Sequence, residues 1–225
     1  MLIIGIAGQK GGCGKTTTAV HLGAELTARG NRVAIVDADP QRSAAVWAEP
    51  GKLPMPVVEI PLGVERVATD DDEQRLARKW SAAVRAVPAD VVIVDSPPHL
   101  KSAIGAVIGM CDLVVIPCGP SGLDISATAE TVSLVREIRQ ARRSTKPPAL
   151  LIPNRVDKRT AAGRELPGEL AAMGEPTAPE VCYRTAFSDA FNDGLWVGSI
   201  APNSAAHKEM KALANMVAGA VKGLR

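Results

Sequence analysis

The run Leu2-Ile3-Ile4-Gly5-Ile6-Ala7 leads into Gly8-Gln9-Lys10-Gly11-Gly12-Cys13-Gly14-Lys15-Thr16-Thr17, and a helical segment, Lys15–Arg29, follows at once. Leu2–Ala7 is short and continuously apolar, the pattern of a strand buried on both faces of a parallel sheet. In the stretch after it, glycines let backbone N–H groups turn inward around phosphate oxygens, where a side chain would clash. The helix N-terminus adds partial positive charge, Lys15 reaches the terminal phosphates, and the Thr16 hydroxyl suits Mg²⁺. Gly11, Gly12, Cys13, Gly14 and Thr17 complete the phosphate-binding candidates. A glycine turn that binds nothing would require neither Gly-Lys-Thr-Thr nor a second lysine. The ordinary phosphate loop has glycine five places before Gly14, where this chain has Gln9, and the chain adds Lys10 at the loop mouth.

Outward from this loop the same alternation continues. Val33–Val36, Val91–Val94, Leu113–Ile116 and Leu150–Ile152 are further apolar runs, separated by helical stretches Glu73–Val87 and Asp124–Arg143, with Ser204–Leu224 closing the chain. Gly30 stops the first helix, and Pro88, Pro147 and Pro148 stop others. The pattern predicts one α/β domain over residues 1–225: a doubly wound, mostly parallel sheet flanked by helices. Pro50–Asp72 reads as an irregular surface excursion.

Composition narrows the class. The 225 residues carry 26 Lys plus Arg against 24 Asp plus Glu, a net charge of +2. Apolar residues at 46% and charged residues at 22% exclude a disordered or low-complexity chain. Aromatics are only 3%, which argues against base stacking and limits any DNA contact to phosphates. Cys13, Cys111, Cys118 and Cys182 form no CxxC pair and no metal spacing with the three histidines. The start lacks a basic leader, and the longest apolar stretch, Ala103–Cys118, is broken by Gly109 and Asp112. A reducing, cytoplasmic location is the expectation.

Three carboxylates stand at strand ends. Asp37 and Asp39 close the second strand, and Asp95 follows Val91–Val94. Hydrolysis of a γ-phosphate requires an acceptor to orient water and a Mg²⁺ to neutralise charge. Asp95, after a purely apolar strand, is placed to hold the Mg²⁺ water shell. Ser96-Pro97-Pro98 adds a stiff segment suited to relaying nucleotide state.

Lys10-Gly-Gly-Cys-Gly-Lys15-Thr-Thr resembles the deviant Walker A motif of the ParA/MinD partitioning ATPases. The resemblance extends through Val36-Asp37-Ala38-Asp39-Pro40-Gln41, Val92-Ile93-Val94-Asp95-Ser96-Pro97-Pro98, Pro120-Ser121-Gly122-Leu123-Asp124 and Ala201-Pro202-Asn203-Ser204, all in family order. Without an amino-terminal DNA-reading extension, the chain is similar to short, ParF- or Soj-like ParA proteins. The resemblance implies a catalytic set of Lys10, Lys15 and Asp39, with Asp39 activating water and switching with nucleotide. Thr16, Asp37 and Asp95 would serve Mg²⁺, with support of the switch as the other role for Asp37. Lys10 would reach the partner subunit's ATP in an ATP-bound homodimer, although a plain exposed lysine is the bland alternative. A ParB-like or other adaptor, non-specific DNA and a nucleoid-associated location are further implications.

Asn154, in Pro153-Asn154-Arg155-Val156-Asp157, follows a strand. The resemblance favours adenine, with Asn154 on the base; a turn asparagine is the other reading. Arg136, Arg139 and Arg143 fall in one stripe of the Asp124–Arg143 segment, with Arg142 and Lys146 beside it. Arg184, Lys208, Lys211 and Lys222 extend the cationic set. Spacing leaves a solvated helix face and a DNA-phosphate ridge equally open. The tail from Leu213 has small residues and two glycines where a membrane-anchoring helix needs bulk, so stable membrane association is not expected. A MinD-like membrane ATPase, a metabolic or cluster-assembly enzyme on the same scaffold, and a nucleotide-dependent scaffold without turnover are the competing readings.

Overall fold

In the computed structural model, residues 1–62, 70–98 and 101–221 are described; residues 63–69 of the expected excursion, Lys222 and the end of the Ser204–Leu224 segment lie outside them. The elements run β1 (Leu2–Ile6), α1 (Lys15–Ala28), β2 (Val33–Asp37), α2 (Ser43–Ala48), β3 (Val57–Glu59), α3 (Asp70–Arg85), β4 (Val91–Asp95) and α4 (Lys101–Met110). They continue as β5 (Leu113–Cys118), α5 (Gly122–Ala141), β6 (Ala149–Val156), α6 (Ala161–Ala171), β7 (Val181–Cys182), α7 (Thr185–Asn192), α8 (Val197–Ile200) and α9 (Ala205–Ala220).

Among the described residues seven strands pair in the order β3-β2-β4-β1-β5-β6-β7, and every one of these pairings is parallel. Apolar runs produce this because each strand must satisfy two cores. In β4, Val92 and Val94 join the cluster under α3, α4, α5 and α6, while Val91 and Ile93 join the one under α1, α2 and α9. Ala34 and Val36 against Val33 and Ile35 divide β2 in the same way. From β1 the chain leaves toward β2 and β3, returns through β4, and crosses to β5. The loop after β1 therefore opens at the switch point of the sheet, the crevice where such folds bind ligands.

Pro50–Asp72 is not simply an excursion. Val57–Glu59 pairs with Ile35–Asp37, and Met55 and Leu62 are buried. A strand of three residues, set between Pro56 and Pro61, is too short for periodicity to register. The helix expected to reach Arg143 ends at Ala141, and Arg143 has φ +49, so it leaves the stripe of Arg136 and Arg139.

Candidate nucleotide site

β1 delivers the phosphate loop, and α1 begins at Lys15. Gly12 (φ +76) and Gly14 (φ +95) take left-handed backbone, and a Cβ on Gly14 would lie 2.1 Å from the Asn154 amide. Only glycine fits there. Lys15, largely buried, donates from Nζ to the Lys10 carbonyl at 3.1 Å, so its ammonium is folded along the inside of the loop. Cys13 is buried, and burial raises its thiol pKa, so it fills space rather than reacts.

Thr16 Oγ1 donates to Asp95 Oδ2 at 2.6 Å, while Asp95 Oδ1 is buried with no partner. Burial pushes the Asp95 carboxyl up to about 7, against the lowering pull of Thr16. A buried carboxylate with one idle oxygen beside a threonine hydroxyl fits a divalent cation. No group of three or more acidic, His or Cys side chains forms a metal cage among the described residues. Mg²⁺ keeps waters and phosphate oxygens as most of its ligands, so one carboxylate and one hydroxyl are a sufficient protein contribution to its site.

Of the two roles expected for Asp37, support of the metal or of a switch, its contacts fit the second. Oδ1 accepts the Asp39 N–H at 3.1 Å, and Oδ2 accepts those of Ala44 and Ala45, each at 2.9 Å. It anchors the start of α2, and its place in the site is to hold the Asp39 turn. Burial raises its pKa while those three amides pull it down. Asp39 borders the cleft, with Oδ1 accepting the Gln41 N–H at 2.9 Å.

Lys10 is not free. Its ammonium lies 2.8 Å from Asp124 Oδ1 and 3.2 Å from Ser121 Oγ. Ser121 and Asp124 form the capping box of α5, so the lysine docks on that helix's first turn. Burial alone would raise the Asp124 pKa, but Lys10 and Ser121 bring it below the ordinary carboxylate value.

Asn154 is placed against the loop rather than held out toward a base: Nδ2 donates to the Cys13 carbonyl at 2.7 Å. Arg155, which carried no role in the sequence reading, donates to the Gly12 carbonyl at 2.9 Å. It sits at a bulge in the β6–β7 pairing with φ +56, the local distortion that aims its side chain back at the loop. Two consecutive residues thus grip two consecutive loop carbonyls. Asp157, the position a guanine reader would use, is instead held near pKa 2 by the Arg159 guanidinium.

A cleft of about 590 Å³ runs from the loop past Asp39 to Val181–Arg184, Phe187 and Phe191. This apolar far end suits a nucleobase and was not visible in the sequence, since β7 has two residues and α7 eight. Arg184 belongs here: it pairs with Glu209 at 2.6 Å and borders the cleft, which removes it from the expected ridge. Arg139 leaves the ridge too, paired with the buried Glu175 at 2.7 and 3.1 Å and donating to the Pro147 carbonyl. Arg136 donates to the Met173 carbonyl and Arg142 to that of Gly109.

The profile of CobQ/CobB/MinD/ParA nucleotide-binding domains matches residues 4–197. The chain belongs to this family. It is similar to the maintenance of carboxysome distribution protein A of Halothiobacillus neapolitanus, 31% identical over 196 residues, covering 86% of this chain and 85% of that protein. An ATP complex of a Cyanothece McdA shares its fold, with TM-score 0.70, 22% identity and coverage of 100% and 98%. So does the septum site-determining protein MinD with Mg-ADP from Pyrococcus horikoshii, with TM-score 0.69, 18% identity and coverage of 96% and 95%. A CobQ/CobB/MinD/ParA domain is a nucleotide-binding domain, and the loop, Thr16 and Asp95 are the parts of this one that fit MgATP. No helix is long and apolar enough to cross a membrane among the described residues.

Proposed function

We propose that this chain is a ParA-type positioning ATPase that binds MgATP, dimerises, binds DNA without reading sequence, and hydrolyses ATP under stimulation by an adaptor. The observation that carries the reading is the pairing of a two-lysine phosphate loop with Thr16 and the half-satisfied Asp95. Loop amides and the α1 N-terminus hold the phosphates, and Lys15 moves from the Lys10 carbonyl to a phosphate oxygen. Mg²⁺, when bound, neutralises charge developing on the phosphate oxygens. Asp39, at the cleft edge, orients the attacking water, a task of position more than of proton affinity.

Lys10 supports a nucleotide-controlled dimer. Its ammonium is held in its own subunit by Asp124, and ATP in a facing subunit offers a more highly charged partner. Exchange of Asp124 for phosphate makes ATP binding the trigger for association and hydrolysis the trigger for release. A relative named for carboxysome distribution supports a cargo-positioning role, and our reading adds a ParB-like or other small adaptor as the stimulating partner and the nucleoid as the track. Arg139 on α5 is tied to Glu175 and largely covered, and the exposed Arg136 and Arg142 spend their guanidinium groups on the Met173 and Gly109 carbonyls, so the stripe is not our first choice for the track contact. We assign that contact to the exposed cations Arg143, Lys208 and Lys211, touching phosphates only.

The test is ATP hydrolysis and sedimentation with Mg²⁺, with and without random duplex. Wild type turns over slowly, dimerises with ATP, and binds duplex with an affinity that falls steeply with salt. Lys10→Ala stays monomeric with ATP. Dimerisation of that variant at the wild-type level would remove the cross-subunit role, and no ATP turnover under any condition would leave only a scaffold.

A further inference from the structure

The turn that carries Asp39 contains a residue in a conformation it does not favour. Between β2 and α2 the chain passes through Asp39-Pro40-Gln41-Arg42, closed by the Arg42 N–H donating to the Asp39 carbonyl at 2.9 Å. Arg42 has φ +58, in the left-handed region where a Cβ crowds the following carbonyl. Its own carbonyl accepts the Val46 N–H at 2.9 Å, so α2 begins from this backbone geometry.

The Arg42 side chain holds that geometry from outside the turn. Nε donates to Glu59 Oε2 at 2.5 Å, and Nη2 to Oε1 at 2.7 Å, a two-pronged pair. Glu59 is the last residue of β3 and stands opposite Asp37 in the strand register. Beyond it the Ile60 N–H donates to the Asp37 carbonyl and the Leu62 N–H to that of Ala38, each at 3.0 Å. The frame bearing Glu59 is therefore locked to the strand that emits the turn. Arg42 and Glu59 are 52% and 43% exposed, so the pair contributes little to global stability. Its effect is local. The Arg42 guanidinium also keeps the Glu59 carboxyl below its ordinary pKa, so the pair persists well below neutrality.

We propose that Glu59 is a positioning residue for hydrolysis: through Arg42 it holds the left-handed corner of the turn and so fixes the direction of the Asp39 carboxylate. The proposal rests on Asp39 as the water-orienting group. Without Glu59, Arg42 relaxes toward negative φ, the turn opens, and Asp39 loses its aim, while the phosphate loop is untouched. Displacement of a reacting group by about 1 Å costs up to about 100-fold in rate. Glycine at the same position would adopt φ +58 without the pair. The ion pair matters because the corner residue has a Cβ.

The experiment is steady-state ATP hydrolysis with Mg²⁺, separating kcat from KM, on Asp39→Ala, Glu59→Gln, Arg42→Ala, Arg42→Gly and the double variant Glu59→Gln/Arg42→Gly. Glu59→Gln lowers kcat roughly tenfold and leaves KM for ATP within about twofold. Arg42→Ala loses at least as much, and Arg42→Gly loses clearly less. In the Arg42→Gly background, Glu59→Gln changes kcat by less than about twofold, because a relaxed corner no longer depends on it. A wild-type kcat for Glu59→Gln beside an inactive Asp39→Ala overturns the positioning role alone. So does an equal loss from Glu59→Gln in both backgrounds, or a loss appearing in KM. Wild-type turnover by Asp39→Ala overturns the reading of Asp39, and the positioning role with it.

Discussion

The phosphate loop and the outer side of α5 both carry closely spaced cations, and the structure treats them differently. At the loop, Lys15 folds over backbone contributed by its own neighbours, against the Lys10 carbonyl five residues back. On α5, Arg139 is spent on Glu175, 36 residues away in the chain, and Arg136 on the Met173 carbonyl beside it. A loop whose ligand contacts come from contiguous backbone has its chemistry written in its spacing. A helix stripe has only its direction written there, and what faces it is decided by packing.

Substitution at each region separates function from stability. Thr16→Ala should lower ATPase kcat/KM by at least about 100-fold while costing only about 1 kcal/mol of stability, the loss of the hydroxyl that donates to the buried Asp95. Assays of turnover and thermal unfolding on one preparation check both halves. A large loss of stability instead would make the loop as structural as α5. Arg139→Ala should destabilise the fold by about 2–3 kcal/mol in urea, because Glu175, 8% exposed, loses its two-pronged partner and keeps only Arg136, 3.8 Å away. Arg143→Ala should stay within about 0.5 kcal/mol of wild type and reduce the magnitude of the slope of log affinity for random duplex against log salt by about 1. A reversal of those two outcomes would restore the stripe as a DNA ridge.

One turn beyond Thr17, α1 buries His21 completely, with Nδ1 accepting the Val197 N–H at 3.3 Å and the ring edge-on to Trp47 and Phe187. Burial lowers its pKa from 6.5 to about 3. The unfolded chain therefore binds a proton that the folded chain refuses between these values. Stability is at its full level above pH 6.5 and falls as pH drops toward 3, by roughly 2 kcal/mol between 6.5 and 5. Urea midpoints at pH 7.5 and 5 should show this drop in wild type and a shallower one in His21→Gln. Equal slopes would place His21's titration outside the folding equilibrium. The smallest effect is expected at Asn154. Asn154→Ala should raise KM for ATP and GTP alike by a few-fold without reversing preference, because its amide secures Cys13. A selective loss for ATP in competition assays would return it to base recognition.

Much of the fold was legible. β1, β2, β4, β5 and β6 are interior strands with apolar residues on both faces, a signal strong enough to survive without knowledge of their order. β3 and β7, with three and two residues, hold their places through pairing to longer neighbours and leave no period to read. Within the site, residue type and position were enough to single out the loop and Asp95 as candidates. They did not settle Asp37, because an acid at a strand end suits a metal and a helix start equally well, and only the Ala44 and Ala45 amides decide between them. Nothing in the sequence distinguishes Arg155 from a surface arginine; its work depends on a bulge that turns one residue back toward Gly12.

Sequence by itself determined the elements whose contacts are local or self-repeating: the phosphate loop, the apolar strands, the glycine positions and the family to which they belong. The tertiary structure decided which charges remain available. Lys10 rests on Asp124, Arg184 on Glu209 and Arg139 on Glu175, each pair joining segments far apart in the chain. The reason is physical. Hydrophobic burial is non-directional and leaves its pattern along the chain, whereas an ion pair depends on a distance of a few ångströms that only the packed sheet and helices set.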